Sequence, residues 1–324
     1  MKARFLFLAA VMLGLASCQT EPEGLDVNVG GEEQIVTVNV NVPETETRAA
    51  GSDSALGVFD NGILGTAEDN TTMRYILQVY YKDGENFVKS EERKVEYSDG
   101  KSVAFDVRLV PERDYQFVVW ADIVVNGKTD TDNHYNTADL TNVTLNNTWV
   151  AMDESRDAFT ATEFIDNFNS SKVINITLKR PFAKLRVVTT DMKALNNLGI
   201  VPTKATVTYT EKHYGAFNAF AGKAINDSKN RDIKHENFDI VSYGEPETGD
   251  NKTLFTDYFF AEDDATNFVL DVFDQDNKII KSGEFTTDIY VKRNNLTTIK
   301  GNILTDGKGF DVTIEDAFAG ESGK

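Results

Sequence analysis

Ile35-Val36-Thr37-Val38-Asn39-Val40-Asn41-Val42 alternates branched apolar and polar side chains almost without a break, immediately ahead of Pro43. A period of two puts Val36, Val38, Val40 and Val42 on one face and Thr37, Asn39 and Asn41 on the other, the pattern of a half-buried β-strand. Proline ends the run, and Glu44 to Ser54 reads as an exposed loop of small and polar residues.

The same signature recurs downstream. Arg74 to Tyr81 is strand-like. Val95 and Tyr97 lead into Asp99-Gly100, and Val103, Phe105, Val107 and Leu109 lead away, which predicts a hairpin closed by the DG turn. Tyr115 to Val125 is a longer apolar run that ends at Asn126-Gly127; Trp120 inside it reads as core in preference to a sugar-stacking platform. Lys172 to Leu178 alternates through Ile174, Ile176 and Leu178. Beyond Arg180-Pro181, Phe182 to Thr190 opens a second series. There Asp191 is placed to cap a short helix with Met192, Leu195 and Leu198 on one face and Gly199 at its exit. Thr203 to Thr210 alternates again, Asp274-Gln275-Asp276-Asn277 reads as a hairpin turn, and Asp288 to Leu304 and Phe310 to Ile314 supply the last strands. No long amphipathic helix occurs, and strands do not alternate with helices, which disfavours a parallel α/β sheet. The expected fold is all-β: two tandem antiparallel β-sandwiches with few short helices, over residues 25–178 and 179–324.

Ahead of the first strand the chain carries an export signal. Lys2 and Arg4 precede an apolar run from Phe5 to Leu15 that is too short to span a bilayer. Leu15-Ala16-Ser17-Cys18 then has the layout of a bacterial lipobox, with cleavage between Ser17 and Cys18 and acyl chains on the Cys18 thiol. Several acyl chains, at about 0.8 kcal/mol per buried methylene, hold a protein to a membrane without a spanning helix. Residues 1–17 are thus a signal peptide and 18–24 a polar tether.

Composition bounds what the mature chain does. Hydrophobic content of 40% with 10% aromatics is that of a folded protein, and removing 17 of 324 residues leaves about two domains' length. The net charge of −19 argues against nucleic-acid binding, which requires clustered cations against phosphates. Cys18 is the only cysteine, so the fold has no disulfide and no thiol nucleophile. His134, His213 and His235 lack metal-ligand spacing and read as surface or loop residues. Asp130, Asp132, Asn136 and Asp139 read as a solvated acidic loop in preference to a calcium site, because the glycine and glutamate of an EF-hand loop are missing. Among many carboxylates no glycosidase pair stands out. The expectation is a non-enzymatic protein with no catalytic residues, metal or cofactor.

The Leu15–Cys18 lipobox, the early alternating strand followed by Thr47-Arg48-Ala49, and Trp120-Ala121-Asp122 occur in that order. Arg180 to Asp191 (RPFAKLRVVTTD) and Val291 to Leu304 (VKRNNLTTIKGNIL) follow them. Together these stretches resemble the fimbrillin superfamily of Bacteroidales, the lipoprotein pilins of type V pili. The resemblance implies transthyretin-like sandwiches, a lipidated precursor at the outer membrane or cell surface, and cleavage after Arg48 by an Arg-specific protease. Cleavage would release the strand bearing Val36, Val38, Val40 and Val42 and open a slot for a strand from another pilin subunit. Arg48 is equally well read as an ordinary loop arginine. Val312 and Ile314 are followed only by Glu315 to Lys324, so a spare C-terminal donor segment is missing, which leaves tip, anchor and non-polymerising roles open beside a stalk role. Host or glycan receptors are the other partners implied. The competing reading is a surface glycan-binding lipoprotein of a polysaccharide uptake system, which would use Trp149, Tyr135 or Tyr214 as exposed rings.

Overall fold

A computed structural model describes residues 32–42, 71–97, 102–146, 150–240, 250–305 and 309–316. In the first half the strands are β1 (Gln34–Asn41), β2 (Thr71–Asp83), β3 (Asn86–Tyr97), β4 (Ser102–Leu109) and β5 (Arg113–Val125). Short β6 (Tyr135–Asn136) and β7 (Val143–Leu145) follow, then β8 (Ala158–Phe168) and β9 (Val173–Thr177). The second half holds β10 (Phe182–Thr189), helix α1 (Met192–Asn197) and β11 (Pro202–Tyr209). Next come the short strands β12 (His213–Tyr214), β13 (Ala216–Asn218), β14 (Lys223–Ala224) and β15 (Lys229–Arg231). The chain continues through β16 (Lys234–Asp239), β17 (Lys252–Phe260), β18 (Asp263–Asp274), β19 (Ile279–Lys292), β20 (Asn295–Gly301) and β21 (Phe310–Asp316). The fold is all-β and built of packed sheets.

Two sheets face each other in the first half, in strand orders β4-β1-β9 and β3-β2-β5-β8. Their core is drawn wholly from residues 36–178, with Val38, Tyr75, Leu77, Phe117 and Val107 all at 0% exposure. The β2 and β5 strands are buried on both faces. Tyr75, Leu77 and Val79 point into this core, while Ile76, Tyr80, Val118 and Trp120 belong to the second. Double burial explains why Tyr115 to Val125 reads as a continuous apolar run and not as an alternation. The outermost strand, β3, presents Lys89-Ser90-Glu91-Glu92-Arg93-Lys94, charges that blunt an open sheet edge.

The second half has sheets β17-β10-β20-β21 and β16-β11-β18-β19. Most pairs are antiparallel, but β1 runs parallel to β9 and β10 runs parallel to β20. The chain passes from one sheet to the other between β19 and β20 through Arg293-Asn294, with Asn294 at φ 60. There the Asn294 side-chain oxygen accepts from Arg180 N at 2.9 Å, and the Asn294 backbone N–H donates to Phe182 O at 2.7 Å. This pins Arg180-Pro181, where the second strand series begins.

Three expectations are corrected. β3 and β4 are not a hairpin: β3 pairs with β2 and β4 with β1, so residues 98–101, which lie outside the described residues, join different sheets. Alternation reports which face of a strand is buried, not which strand lies beside it. Asp191 does not cap α1 with its side chain. Its carboxylate instead takes the Thr189 hydroxyl and the backbone N–H groups of Leu304 and Thr305 at 2.9 and 2.7 Å, tying β10 to the chain after β20. Leu198 is 73% exposed and leaves the core to Met192 and Leu195. Gly199 does sit at the helix exit with φ +69. Its N–H bonds Asn196 O, and Ile200 N bonds Leu195 O, the paired closure that a left-handed residue makes possible.

Candidate functional site

β1 lies in the middle of its sheet. It is antiparallel to β4 over Gln34 to Asn41 and parallel to β9 over Thr37 to Asn41. Thr37 N donating to Lys172 O and Leu178 N donating to Asn41 O extend the parallel side. Val36, Val38 and Val40 are completely buried, and Val42, just past the strand end, is 6% exposed. The polar face is stitched to both neighbours, by Thr37 Oγ1 to Asp106 Oδ1 at 2.7 Å and by Asn39 Nδ2 to Asn175 Oδ1 at 3.0 Å. Burying four valines contributes about 1.5–3 kcal/mol each, an upper bound because an unfolded chain already hides part of that surface. Since no ladder joins β4 to β9 directly, loss of β1 would expose two backbone edges and one apolar floor together.

A second constellation is buried in the other half. Asp257, 1% exposed, accepts the Tyr209 hydroxyl at 2.8 Å and faces His235 Nε2 at 2.8 Å through the same oxygen, while its other oxygen accepts Tyr258 N at 2.9 Å. Burial, reinforced by Asp257, pushes the Tyr209 hydroxyl well above its ordinary pKa. Tyr209, His235 and Asp257 are each at most 5% exposed, so the cluster has no access for a substrate and instead ties β11, β16 and β17 together.

The sequence profile of a family of unknown function, DUF6562, matches residues 28–324. The chain belongs to DUF6562. No curated protein matches it. Its structure is similar to that of the tip fimbrial protein Mfa3 of Porphyromonas gingivalis with a C-terminal truncation. The TM-score is 0.50 at 12% identity, over 88% of this chain and 99% of that one. A fimbrial assembly protein of Parabacteroides distasonis is similar over 88% of this chain and 96% of its own, with TM-score 0.44 at 14% identity. At such identities the likeness is one of fold, and the tip protein's fold is the one this DUF6562 chain shares. The fimbrillin resemblance read from the sequence meets that same fold.

The remaining sequence-derived residues of the DUF6562 chain fall as follows. Ser17, Cys18, Arg48, Ala49 and Trp149 lie outside the described residues. Tyr135 and Tyr214 are not exposed rings: they are 1% and 7% exposed. Tyr135 packs edge-on to Trp120 with ring centres 5.3 Å apart, and Tyr214 lies under the Lys229 ammonium at 4.9 Å. Two of the histidines are likewise corrected, His213 and His235, which lie in strands, while His134 is a loop residue as read. His213 and His235 are 5% and 4% exposed, and His134 is half-buried with Nε2 2.7 Å from Ser155 Oγ. Asp132 serves Arg74 and Thr137, Asp139 turns back on Thr141, and Asn136 accepts Ala138 N. Among the described residues no group of three or more His, Cys, Asp or Glu is placed to hold a metal, and no helix is long and apolar enough to cross a membrane. What the sequence did not mark is the buried ion pairing of Arg74 with Asp122 and Asp132, and of Arg180 with Asp157. Their partners are too distant in sequence for spacing to reveal.

Proposed function

We propose that this chain is a fimbrillin-like cell-surface protein acting in pilus assembly or adhesion. In this reading residues 1–17 export it, lipid on Cys18 tethers it to the outer membrane, and β1 is an exchangeable strand released by cleavage between Arg48 and Ala49. The carrying observation is the seat of β1: a central strand with Val36, Val38 and Val40 at 0% exposure, held between two strands that do not otherwise pair. An entering strand would gain both ladders and the apolar floor by β-augmentation. It would have to run antiparallel to β4 and parallel to β9, so the slot fixes the donor's direction as well as its register. The fold shared with a protein described as a fimbrial tip subunit supports a subunit or accessory role. We further place the division between the two sandwiches near Lys179.

The test is digestion of the full chain with an Arg-specific protease, read by N-terminal mass and by gel. Cleavage after Arg48 followed by higher-order species is the expected result. A verified cut that leaves stable monomers, with residues 34–41 still bound or lost without consequence, would defeat strand exchange. Acyl-Cys18 on the native protein from its own membrane is the expected N-terminus before processing; an unmodified thiol there would remove the tether.

A further inference from the structure

In the second half, β21 is the last strand of the sheet β17-β10-β20-β21, and β19 is the last strand of β16-β11-β18-β19. Phe310 on β21 meets Phe285 on β19 with ring centres 5.3 Å apart, so Phe310, Val312 and Ile314 share the face of β21 that looks toward the other sheet. Yet Val312 and Ile314 are 43% and 47% exposed, whereas their cross-strand partners on β20, Ile299 and Thr297, are fully buried. The apolar face runs one strand beyond its cover. Beside Phe310 an apolar cavity of about 50 Å³ lies between the two strands, lined by Leu270, Phe285 and Ile303 and reaching the exposed Gly309.

This edge is unguarded. Where β3 ends its sheet with a run of charges, Phe310–Asp316 holds neither Lys nor Pro, and among the described residues no strand pairs with the outer side of β21. On the other face of the strand, Asp311 and Glu315 flank the exposed Thr313. Lys300 stands opposite Asp311, but among the described residues neither carboxylate is in an ion pair.

We propose that β21 is a docking edge for an extended segment of a partner protein in which Val, Ile or Leu alternates with Lys or Arg. Laid along β21, such a segment continues the ladder by β-augmentation, and its aliphatic side chains cover Val312 and Ile314. Its cations then stand across from Asp311 and Glu315, the favourable cross-strand arrangement. A cavity of about 150 Å³ admits benzene, so the smaller one beside Phe310 takes a branched aliphatic end and not an aromatic ring. A second copy fits poorly: antiparallel pairing of two β21 strands along their full length sets Asp311 against Glu315 twice, and each chain carries a net charge of −19. The edge is separate from the β1 slot, and its use requires no cleavage.

The experiment titrates the uncut full chain into a dye-labelled peptide, Leu-Lys-Val-Lys-Val-Lys-Leu, and reads fluorescence anisotropy. The terminal leucines reach the cavity whichever way the strand runs, and a Kd of about 100 µM or tighter is expected. No binding overturns the edge. A peptide with serine at each aliphatic position keeps the charge and should bind at least about tenfold more weakly; equal binding would reduce the effect to bulk attraction by an acidic chain and overturn the site. Only alternate amides of an added strand face its neighbour, so N-methylation of one alternate set should abolish binding while the other set leaves it, and indifference to both overturns strand addition. Val312→Lys, at a position already in solvent, should weaken the peptide at least about tenfold; an unchanged Kd in a variant that melts like wild type places the peptide elsewhere. Equal affinity for a peptide spanning Gln34 to Val42 replaces the cationic partner with the β1 of a second copy. Binding that appears only once residues 317–324 are deleted makes the chain's own end the occupant. The serine and N-methyl comparisons need no variant, so misfolding of a substituted chain leaves the answer intact.

Discussion

His213 shows how far a single side chain departs from what its neighbours in sequence suggest. It is 5% exposed, with its ring centre 4.8 Å from Tyr209 and 4.6 Å from Phe259, and its Nε2 is 3.5 Å from the Thr266 hydroxyl. Burial lowers its pKa from 6.5 to about 4; Asp257 and Asp264 oppose the shift, and Lys229 and Arg231 reinforce it. Because the folded value is depressed, the unfolded chain takes up the proton first as pH falls. Stability is therefore full above pH 6.5 and declines by about 3 kcal/mol as pH drops from 6.5 toward 4. His213→Phe keeps the aromatic packing and should flatten that decline in urea unfolding measured across the window; an equally steep slope in the variant would assign the effect to other groups. Arg74 and Asp122 make the opposite case. Both are fully buried, joined at 2.9 and 2.8 Å through two guanidinium nitrogens. Asp122→Asn should cost about 3–5 kcal/mol in the same assay, because it strands a buried cation, whereas the double change Arg74→Met with Asp122→Leu should recover much of the loss. A single variant of wild-type stability would show that water or Asp132 substitutes for the partner.

Among the elements, β1 has the most testable role. A chain beginning at Ala49 lacks β1 and should unfold at lower temperature than the full chain. Adding a synthetic peptide spanning Gln34 to Val42 should raise the midpoint in a concentration-dependent way, because a ligand that binds only the folded state stabilises it by mass action. A peptide carrying Val38→Asp should do nothing, since it would bury an unpaired charge. If the truncated chain melts like the full one, or ignores the peptide, the slot is not an acceptor. This element was legible from sequence because only one of its faces is buried, so Val36 to Val42 keeps the period of two intact. Its neighbours were not legible: β4 and β9 are brought beside it by chain reversals that leave no local trace, and the predicted β3–β4 hairpin failed for that reason. Asp191 failed similarly, since a side chain suited to a helix cap found stronger donors at Leu304 and Thr305. The β21 edge was half legible: Val312 and Ile314 alternate in the sequence, but Phe285 meets Phe310 only because β19 and β21 end facing sheets.

At the scale of the molecule, the two halves are joined by a core and not by a linker. The second hydrophobic cluster draws Ile76, Val118, Trp120 and Tyr135 from the first half into the packing of Phe182, Tyr258 and Phe260. Phe182 is 1% exposed and central to that layer, edge-on to Tyr258 at 5.4 Å and stacked with Tyr135 at 6.2 Å. Beside it, Asp157 holds Arg180 through both oxygens, and the Arg180 guanidinium lies 4.7 Å from the Phe159 ring centre. A junction buried this completely should make the halves unfold together, so calorimetry of the full chain should show one transition whose calorimetric and van't Hoff enthalpies agree. Phe182→Ala removes the central ring at a cost of about 3–5 kcal/mol, concentrated where the halves meet. The variant should therefore melt in two steps: the first-half core from residues 36–178 is untouched, while the second half loses its shared wall. Two transitions already present in the wild type, or a single transition merely displaced in the variant, would mean that the aromatic layer stabilises one sandwich and does not couple two.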